Sequence, residues 1–380
     1  MASITIHNVH THIFTLSHIP SRFMVPGLVG TFKNKRFAKI AAWGLKMVIP
    51  FSKSDKAERL TVFAEAARNP EQGDVLKDLM GFYPPETRFG LLTMDLDHMN
   101  AGKADKDFLV QLKELIPLKK EYGDLISPFI AIDPRHDGLL ELVKEYIEEH
   151  NFGGLKLYPP LGYYPFDERL FGVYEYAEKR QIPIIAHCSP GGIHWQGRVK
   201  AEWRIHPKTG EKLDARGMSK FSNYFTHPAN YYWVLDQFPD LKLCFAHFGG
   251  AEEWAKFLQN SWPREKAEEG KKEMAERCVC SSDVSWLSII TDMIRNKEYA
   301  NIYADTSYTA YKTEYLPLIK VMVGNQKLRP FILYGSDCYM VQMDISERAF
   351  SINVRGHLGE DDYRQIAETN PRKFLEIQSA

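Results

Sequence analysis

Five short apolar runs in the sequence end in side chains that can bind a metal ion or move a proton. These side chains are His10, His12, Lys156, His187, His247 and Asp337. Imidazole nitrogens and carboxylate oxygens are common ligands of zinc and related divalent ions. A catalytic zinc ion lowers the pKa of its bound water to about 7. The pattern therefore predicts a metal centre able to activate water or to polarise a substrate.

The first of these runs carries a pair of histidines. His10 and His12 lie two positions apart, so on a strand both rings point to the same side. At the C-terminal end of that strand they can bind one ion together. His7 has no comparable partners and is expected to be a core or surface residue.

The runs that end in these ligands belong to a regular alternation of strand-like and helical patterns. Eight strands are predicted, at 4–9, 88–94, 126–132, 153–157, 183–186, 242–246, 302–304 and 331–335. Apolar residues at helical spacing lie between them, for example in 138–150 and 168–180. Polar residues at the C-terminal ends of parallel strands are typical of a (β/α)8 barrel active site. We therefore expect residues 1–380 to form a single α/β domain, a (β/α)8 TIM barrel.

Three segments are longer than a bare barrel needs. They are 14–87, 189–226 and 251–299, after strands 1, 5 and 6, and we expect them over or beside the barrel mouth. The first contains a basic amphipathic stretch, 32–48, for which a lid or subunit contact is favoured over membrane or partner binding. The helix predicted at 264–277 is rich in charged residues, and we expect these to face solvent.

Composition narrows the range of partners. The 380 residues are 44% hydrophobic, enough for one large core, and the net charge of −1 creates no field that would attract nucleic acid or an anionic membrane. A small-molecule substrate is expected, and a homo-oligomer is compatible with the composition. The five cysteines are few, Cys278 and Cys280 lack a second pair at zinc-site spacing, and no targeting segment is apparent at the start. These features predict buried thiols and a cytoplasmic location.

Several motifs resemble the amidohydrolase superfamily, in particular the amidohydrolase-related (amidohydrolase 2) branch that includes aminocarboxymuconate-semialdehyde decarboxylase-like metal-dependent enzymes. The matching motifs include Val-His-Thr-His, Gly-Gly-Leu-Lys-Leu-Tyr-Pro-Pro, Ile-Ile-Ala-His-Cys, Leu-Cys-Phe-Ala-His-Phe-Gly-Gly, Tyr-Ala-Asp-Thr-Ser and Leu-Tyr-Gly-Ser-Asp. With a closing Asn-Pro-Arg-Lys-Phe-Leu they run in order through most of the chain. Their order is more specific than any one motif alone.

The resemblance implies roles for the ligand residues. A divalent metal, usually zinc, would be bound by His10, His12, His187 and Asp337. His247 would act beside the metal-bound water, and Asp337 could accept the proton of that water.

Lys156 has two interpretations within that family. In binuclear members a carboxylated lysine bridges two ions, and here Lys156 and His247 would then join the ligand set with His187. In the amidohydrolase-related branch a single ion is common, and the lysine can remain an ammonium group that meets a substrate carboxylate. We favour one ion.

The loop after strand 5 supplies further substrate-binding candidates. They are His194, Trp195, Arg198 and Arg204, beside Lys156 itself. Arginine presents a planar fork to carboxylates, although each loop arginine could equally pair with a local acid or a neighbouring subunit. Asp305 and Asp95, at or after strand ends, are expected to accept hydrogen bonds from ligating histidines.

Two reaction classes could use this predicted site. A hydrolase would direct metal-activated water at an amide, lactone or ester bond of a small, possibly carboxylated substrate. The alternative is a non-oxidative decarboxylase of a carboxylated aromatic or muconate-type acid, and a second alternative is a non-catalytic metal-binding protein. The hydrolase is the favoured prediction, with Asp337 and His247 as catalytic residues, because the complete His/Asp set and Lys156 resemble the hydrolytic members.

Overall fold

The computed structural model describes residues 4–23, 69–259, 284–296 and 299–376. Its centre is one sheet of eight parallel strands in sequence order. The strands are β1 His7–Thr11, β2 Arg88–Leu92, β3 Ile126–Ile132, β4 Gly154–Leu157, β5 Ile184–Ala186, β6 Leu243–Phe245, β7 Ile302–Asp305 and β8 Ile332–Leu333. Each overlaps a predicted strand, which confirms the (β/α)8 TIM barrel.

Backbone hydrogen bonds bring the last strand back to the first. The amide of Val9 donates to the carbonyl oxygen of Tyr334 over 3.1 Å, and the amide of Asp337 donates to that of His10 over 2.8 Å. These two bonds place the segment after β8 beside the end of β1. The candidate ligand residues from opposite ends of the chain therefore meet at one mouth.

Helices surround the barrel on the outside. They are α1 Gln72–Met80, α2 Phe108–Tyr122, α3 Leu139–Glu148, α4 Phe171–Arg180, α5 Met218–Thr226, α6 Tyr232–Leu235, α7 Ala251–Gln259, α8 Trp286–Arg295, α9 Leu316–Gly324, α10 Cys338–Gln342, α11 Glu347–Leu358, α12 Glu360–Arg364 and α13 Asn370–Leu375. A π-helical turn, Gln365–Thr369, joins the last two, and short 3-10 turns fill many of the other connections.

Local sequence explains where these helices begin and which face they bury. The side chain of Asp107 accepts a hydrogen bond from the amide of Val110 and so caps α2. In α3 the buried residues include Leu139, Val143 and Tyr146, at the helical spacing that predicted this helix. The segment predicted as a helix at 168–180 begins with a 3-10 turn before α4.

The barrel interior below the mouth is filled with apolar side chains. Members of this layer include Val9, Leu92, Phe129, Ile185, Cys244, Tyr303, Leu333 and Phe374. Phe374 reaches the barrel from α13 and its ring centre lies 5.0 Å from that of Tyr303. Each fully buried side chain of this kind contributes about 1.5–3 kcal/mol. This buried layer supports the candidate ligand side chains at the mouth from below.

Some predictions concern residues that the structure leaves undescribed. The amphipathic stretch 32–48, the charged helix at 264–277 and the pair Cys278 and Cys280 lie outside the described residues. Cys188, Cys244 and Cys338 are buried free thiols, as expected. Within the described ranges, no helix has the length and apolar character needed to cross a membrane.

Candidate active site and metal centre

The C-terminal ends of the strands enclose a cavity of about 120 Å³. Its wall includes every residue that the sequence predicted as a ligand: His10, His12, Lys156, His187, His247 and Asp337. All six are at least nine-tenths buried. The structure therefore brings together residues that are up to 327 positions apart in the chain.

Tight local backbone geometry positions these side chains. His247 and Asp337 adopt left-handed conformations, with φ of 62° and 58°, two and four positions after the ends of β6 and β8. Such conformations are costly in residues other than glycine and are concentrated at functional sites. At Gly335 a Cβ atom would lie 2.8 Å from the Cβ atom of His10, so only glycine allows this approach of the β8 end to β1.

The tautomer of His12 follows from its hydrogen bond. Its Nδ1 atom lies 2.8 Å from the carbonyl oxygen of Leu92. Because a carbonyl can only accept, Nδ1 carries the proton and Nε2 keeps its lone pair. That Nε2 atom lies 3.8 Å from Oδ1 of Asp337. His12 thus presents a nitrogen lone pair next to a carboxylate oxygen.

Hydrogen-bond partners at Nδ1 also orient the ring of His10. Its Nδ1 atom lies 3.0 Å from Oδ2 of Asp305 and 3.0 Å from the hydroxyl of Ser307. Its Nε2 atom is buried and has no hydrogen-bond partner among the described residues. A buried nitrogen without a partner is costly, and a metal ion would satisfy it. The contact with Asp305 is the one expected of a carboxylate that supports a ligating histidine.

His247 and His187 are neighbours in the cavity wall. Nδ1 of His247 lies 3.2 Å from the carbonyl oxygen of Ser307, so this nitrogen is the donor. Nε2 of His247 lies 3.1 Å from Nδ1 of His187. One ligand atom each from His10, His247 and Asp337 lie within 4.8 Å of one another. The structure thus groups His247 with His10 and Asp337 more closely than the predicted ligand set implies.

Burial keeps the site imidazoles neutral. Desolvation is the main cause that lowers the pKa of His10, His187 and His247 well below the usual value, and that of His12 to about 3. The positive charge of Lys156 lowers all four further. Metal ions bind the neutral form of histidine, so the site is ready for an ion at neutral pH.

Lys156 is buried without a hydrogen-bond partner for its Nζ atom among the described residues. Burial lowers its pKa, and the nearby carboxylates of Asp305 and Asp337 oppose that shift. Burial raises the pKa of Asp337, and Lys156 opposes that shift in turn. The Nζ atom lies 5.8 Å from the centre of the Tyr158 ring. A buried amine with this little compensation is suited to an anionic ligand or to covalent modification.

The four loop residues predicted to bind substrate lie outside the described cavity wall. Nδ1 of His194 lies 3.0 Å from the carbonyl oxygen of Gly192, and the rings of Trp195 and Trp203 pack edge to face. Arg198 is exposed, and the guanidinium group of Arg204 lies over the ring of Phe221. Their role in substrate binding stays a prediction.

The sequence did not predict the apolar part of the wall. It is formed by Phe14, Met94, Tyr158, Pro190, Ile193, Tyr308, Tyr339 and Met340. Most of these residues follow a strand end by a few positions, which is the only sequence signal that could have indicated them. The wall makes the cavity largely apolar outside the ligand cluster.

Comparison with known proteins agrees with this geometry. The amidohydrolase family model matches residues 114–271, a range that contains Lys156, His187 and His247. The matched range is less than half of the chain, and it agrees with the resemblance to the amidohydrolase-related branch that the motifs indicate. No curated protein matches this chain significantly.

Solved structures that resemble this chain cover nearly all of it. The 5-carboxyvanillate decarboxylase of Sphingomonas paucimobilis has a TM-score of 0.54 and 10% identity, with 99% of this chain and 100% of that chain covered. The 2,6-dihydroxybenzoate decarboxylase from Rhizobium has a TM-score of 0.51 and 13% identity, with 99% of both chains covered.

A third similar structure contains a metal ion. The dihydroxybenzoic acid decarboxylase of Polaromonas sp. JS666, with bound manganese and the inhibitor 2-nitroresorcinol, has a TM-score of 0.51 and 12% identity. The match covers 98% of this chain and 97% of that chain. At these identities the three likenesses establish the shared fold.

Proposed function

We propose that this protein is a metal-dependent, non-oxidative decarboxylase of the amidohydrolase type that acts on a carboxylated aromatic acid. The observation that carries the proposal is the buried amine of Lys156, which faces a cavity with mostly apolar and aromatic walls. Such a cavity suits a flat ring with a carboxylate at one end. The three decarboxylases with the same fold are named for aromatic acid substrates, and this supports the same substrate class here.

The donor set fits a divalent metal ion. The ion would be held by His10, His12, His187 and Asp337. Nε2 of His10 is buried without a hydrogen-bond partner among the described residues, and a bond to the ion would satisfy it. His247 lies close enough to His10 and Asp337 to add a further nitrogen. One ion remains our expectation, and zinc remains the expected metal, although a similar fold holds manganese. When bound, the ion would act as a Lewis acid toward substrate oxygen atoms.

The residues of this chain would orient the substrate by charge and shape. The ammonium form of Lys156 would pair with the substrate carboxylate, away from bulk water. Tyr158, Ile193 and Tyr308 would pack against the ring and exclude water from it. Orientation of the ring fixes which carbon atom receives a proton.

The chemical step balances with a single proton. The bond between the ring carbon and the carboxyl carbon breaks, its electron pair stays on the ring carbon, and CO₂ leaves. A carboxyl group, or an imidazole that takes up a proton when the anionic substrate binds, then delivers a proton to that carbon. Asp337 and His247 are the candidates because both line the cavity.

Hydrolysis is the second candidate function. It is favoured by the presence of Lys156, His187 and His247 together in one cavity wall, because this is the set that a two-metal hydrolase would use. In that case a carboxylated Lys156 would bridge two ions. Metal-activated water would attack an amide, lactone or ester carbonyl.

Isotope labelling separates the two reactions. The purified, metal-loaded protein is screened with a panel of hydroxylated aromatic acids and a panel of lactones and amides, in H₂¹⁸O and in D₂O. We expect stoichiometric CO₂ and deuterium on the product carbon. Product that carries ¹⁸O in a carboxyl or hydroxyl group, without CO₂, would reject the decarboxylase and support the hydrolase.

A further inference from the structure

A second group of metal-ligating side chains lies outside the cavity, in the loops that follow β2 and β3. Asp95 and His98 belong to the first loop and His136 to the second. One ligand atom from each of the three lies within 4.8 Å of the others. Two imidazoles and a carboxylate are a common ligand set for zinc and related transition metals.

The carboxylate of Asp95 is incompletely satisfied. Asp95 is 3% exposed, and its Oδ1 atom accepts a hydrogen bond from the amide of Asp97 over 3.1 Å. Its Oδ2 atom is buried and has no hydrogen-bond partner among the described residues. A buried carboxylate oxygen in this state is costly unless a cation or a donor meets it.

The neighbouring charges do not compensate Asp95. Arg135 is the nearby cation, but its guanidinium group forms a two-pronged ion pair with the buried carboxylate of Asp133. Burial, followed by repulsion from Asp133 and Asp97, raises the pKa of Asp95 to about 8, and these effects outweigh the attraction of Arg135. A cation bound at Oδ2 of Asp95 would favour the ionised carboxylate and offset this repulsion.

The spacing of the ligand atoms is close to that around a bound ion. Nδ1 of His136 lies 3.8 Å from Oδ2 of Asp95. With metal–ligand bonds of about 2.0–2.1 Å, two ligands of a tetrahedral zinc are about 3.4 Å apart. Small rotations of the three side chains would close the site, and His98 and His136 are only half-buried, so they have room to move.

We propose that Asp95, His98 and His136 form a second metal site, specific for a zinc-like divalent transition metal, that joins the loops after β2 and β3. Hard cations such as Mg²⁺ prefer all-oxygen ligand sets and are disfavoured by two imidazoles. Three protein ligands leave the remaining coordination to water.

The position of this site gives it a structural role next to the cavity. Met94, one residue before Asp95, lines the cavity. Asn100 in the same loop donates from Nδ2 to the carbonyl oxygen of Gln196 over 2.5 Å, and Gln196 donates back to Met99 over 2.8 Å. An ion between the two loops would thus hold one side of the cavity wall and the segment that follows β5.

Zinc content per chain tests the proposal without reference to activity. The full-length protein is loaded with Zn²⁺, dialysed and analysed by elemental mass spectrometry, as wild type and as Asp95→Asn and His136→Ala variants. His150→Ala is the matched control, because His150 also lies near a single carboxylate, 3.7 Å from Glu145, with a similar half-buried side chain. We expect Asp95→Asn and His136→Ala to hold one zinc fewer per chain than wild type and His150→Ala. Equal zinc content in all four proteins would overturn the proposal.

A second series separates this site from the cavity. The His10→Ala/His12→Ala variant should retain one zinc per chain, and adding His136→Ala should remove it. Added Zn²⁺ should raise the Tm of the first variant and leave the Tm of the second unchanged. A folded His10→Ala/His12→Ala variant that holds no zinc would reject the second site and leave the proposed function of the cavity intact.

Discussion

The carboxylate of Asp305 on β7 connects two histidines of the cavity. Its Oδ2 atom lies 3.0 Å from Nδ1 of His10, and its Oδ1 atom accepts a hydrogen bond from the backbone amide of His247 over 3.0 Å. The same Oδ1 accepts the amide of Ser307 over 3.0 Å. One buried side chain thereby orients the ring of His10 and the backbone that carries His247.

Asp305→Asn should weaken metal binding while leaving the fold intact. The amide keeps the shape but loses the charge that raises the basicity of His10, so we expect the metal Kd to rise 10- to 100-fold. Competition with a chromogenic chelator measures this Kd. Asp236→Asn is the control, because its carboxylate accepts a bond from Tyr299 outside the cavity. An unchanged Kd in Asp305→Asn would show that Asp305 has no effect on the metal.

Asp337→Asn should reduce turnover by about 100-fold or more where metal is still bound. An amide can neither accept nor deliver the proton that either proposed reaction requires. Turnover is measured at matched metal content, so that loss of the ion is not mistaken for loss of proton transfer. Near-normal turnover in the metal-loaded variant would assign Asp337 to metal binding alone.

Lys156→Met should separate substrate binding from fold stability. Methionine fills similar space without a buried amine, so the Tm should stay equal or rise. The affinity for an aromatic carboxylate such as benzoate should fall about 30-fold or more, because the buried partner of the carboxylate is gone. Calorimetric titration measures this affinity.

The same variant reports on the number of metal ions. If Lys156 is carboxylated and bridges two ions, Lys156→Met should lose one cavity ion per chain. Unchanged metal content with lost carboxylate binding would support the ammonium form. Unchanged carboxylate binding would remove Lys156 from the substrate site.

The strands, and the meeting of the six candidate ligand residues in one cavity wall, could be predicted because both depend on local patterns. A buried parallel strand reads as a short apolar run, and a ligand at its end interrupts that run with one polar residue, as at His187 and His247. The order of the strands then follows from short, right-handed crossovers. All eight predicted strands overlap observed ones for this reason.

The apolar wall of the cavity and the second histidine cluster could not be predicted in the same way. Met94, Ile193 and Met340 meet only through three different loops, and no periodicity links their positions. His98 and His136 are 38 positions apart in loops without a motif. Asp95 was expected to support a ligating histidine, whereas its neighbour is His136, outside the cavity. Loop conformation, and with it the partners of each side chain, depends on tertiary contacts.

The buried histidine at the start of β1 should make stability fall at acid pH. His7 is 3% exposed, and neither ring nitrogen has a hydrogen-bond partner among the described residues. Burial, helped by the charges of Arg88 and Arg372, lowers its pKa from 6.5 to about 4. Between these two values the unfolded chain binds a proton that the native state does not, so the free energy of unfolding decreases as the pH falls from about 6.5 toward 4.

His7→Phe should remove this contribution, because phenylalanine keeps a ring of similar size and does not titrate. Between pH 7.5 and 5.0 we expect wild type to lose about 2 kcal/mol more unfolding free energy than His7→Phe, as measured by urea denaturation. The other histidines are present in both proteins and cancel in the difference. His357→Phe, a change at an exposed helical histidine, should follow wild type. Parallel pH profiles for wild type and His7→Phe would mean that His7 becomes protonated as readily in the folded protein as in the unfolded chain.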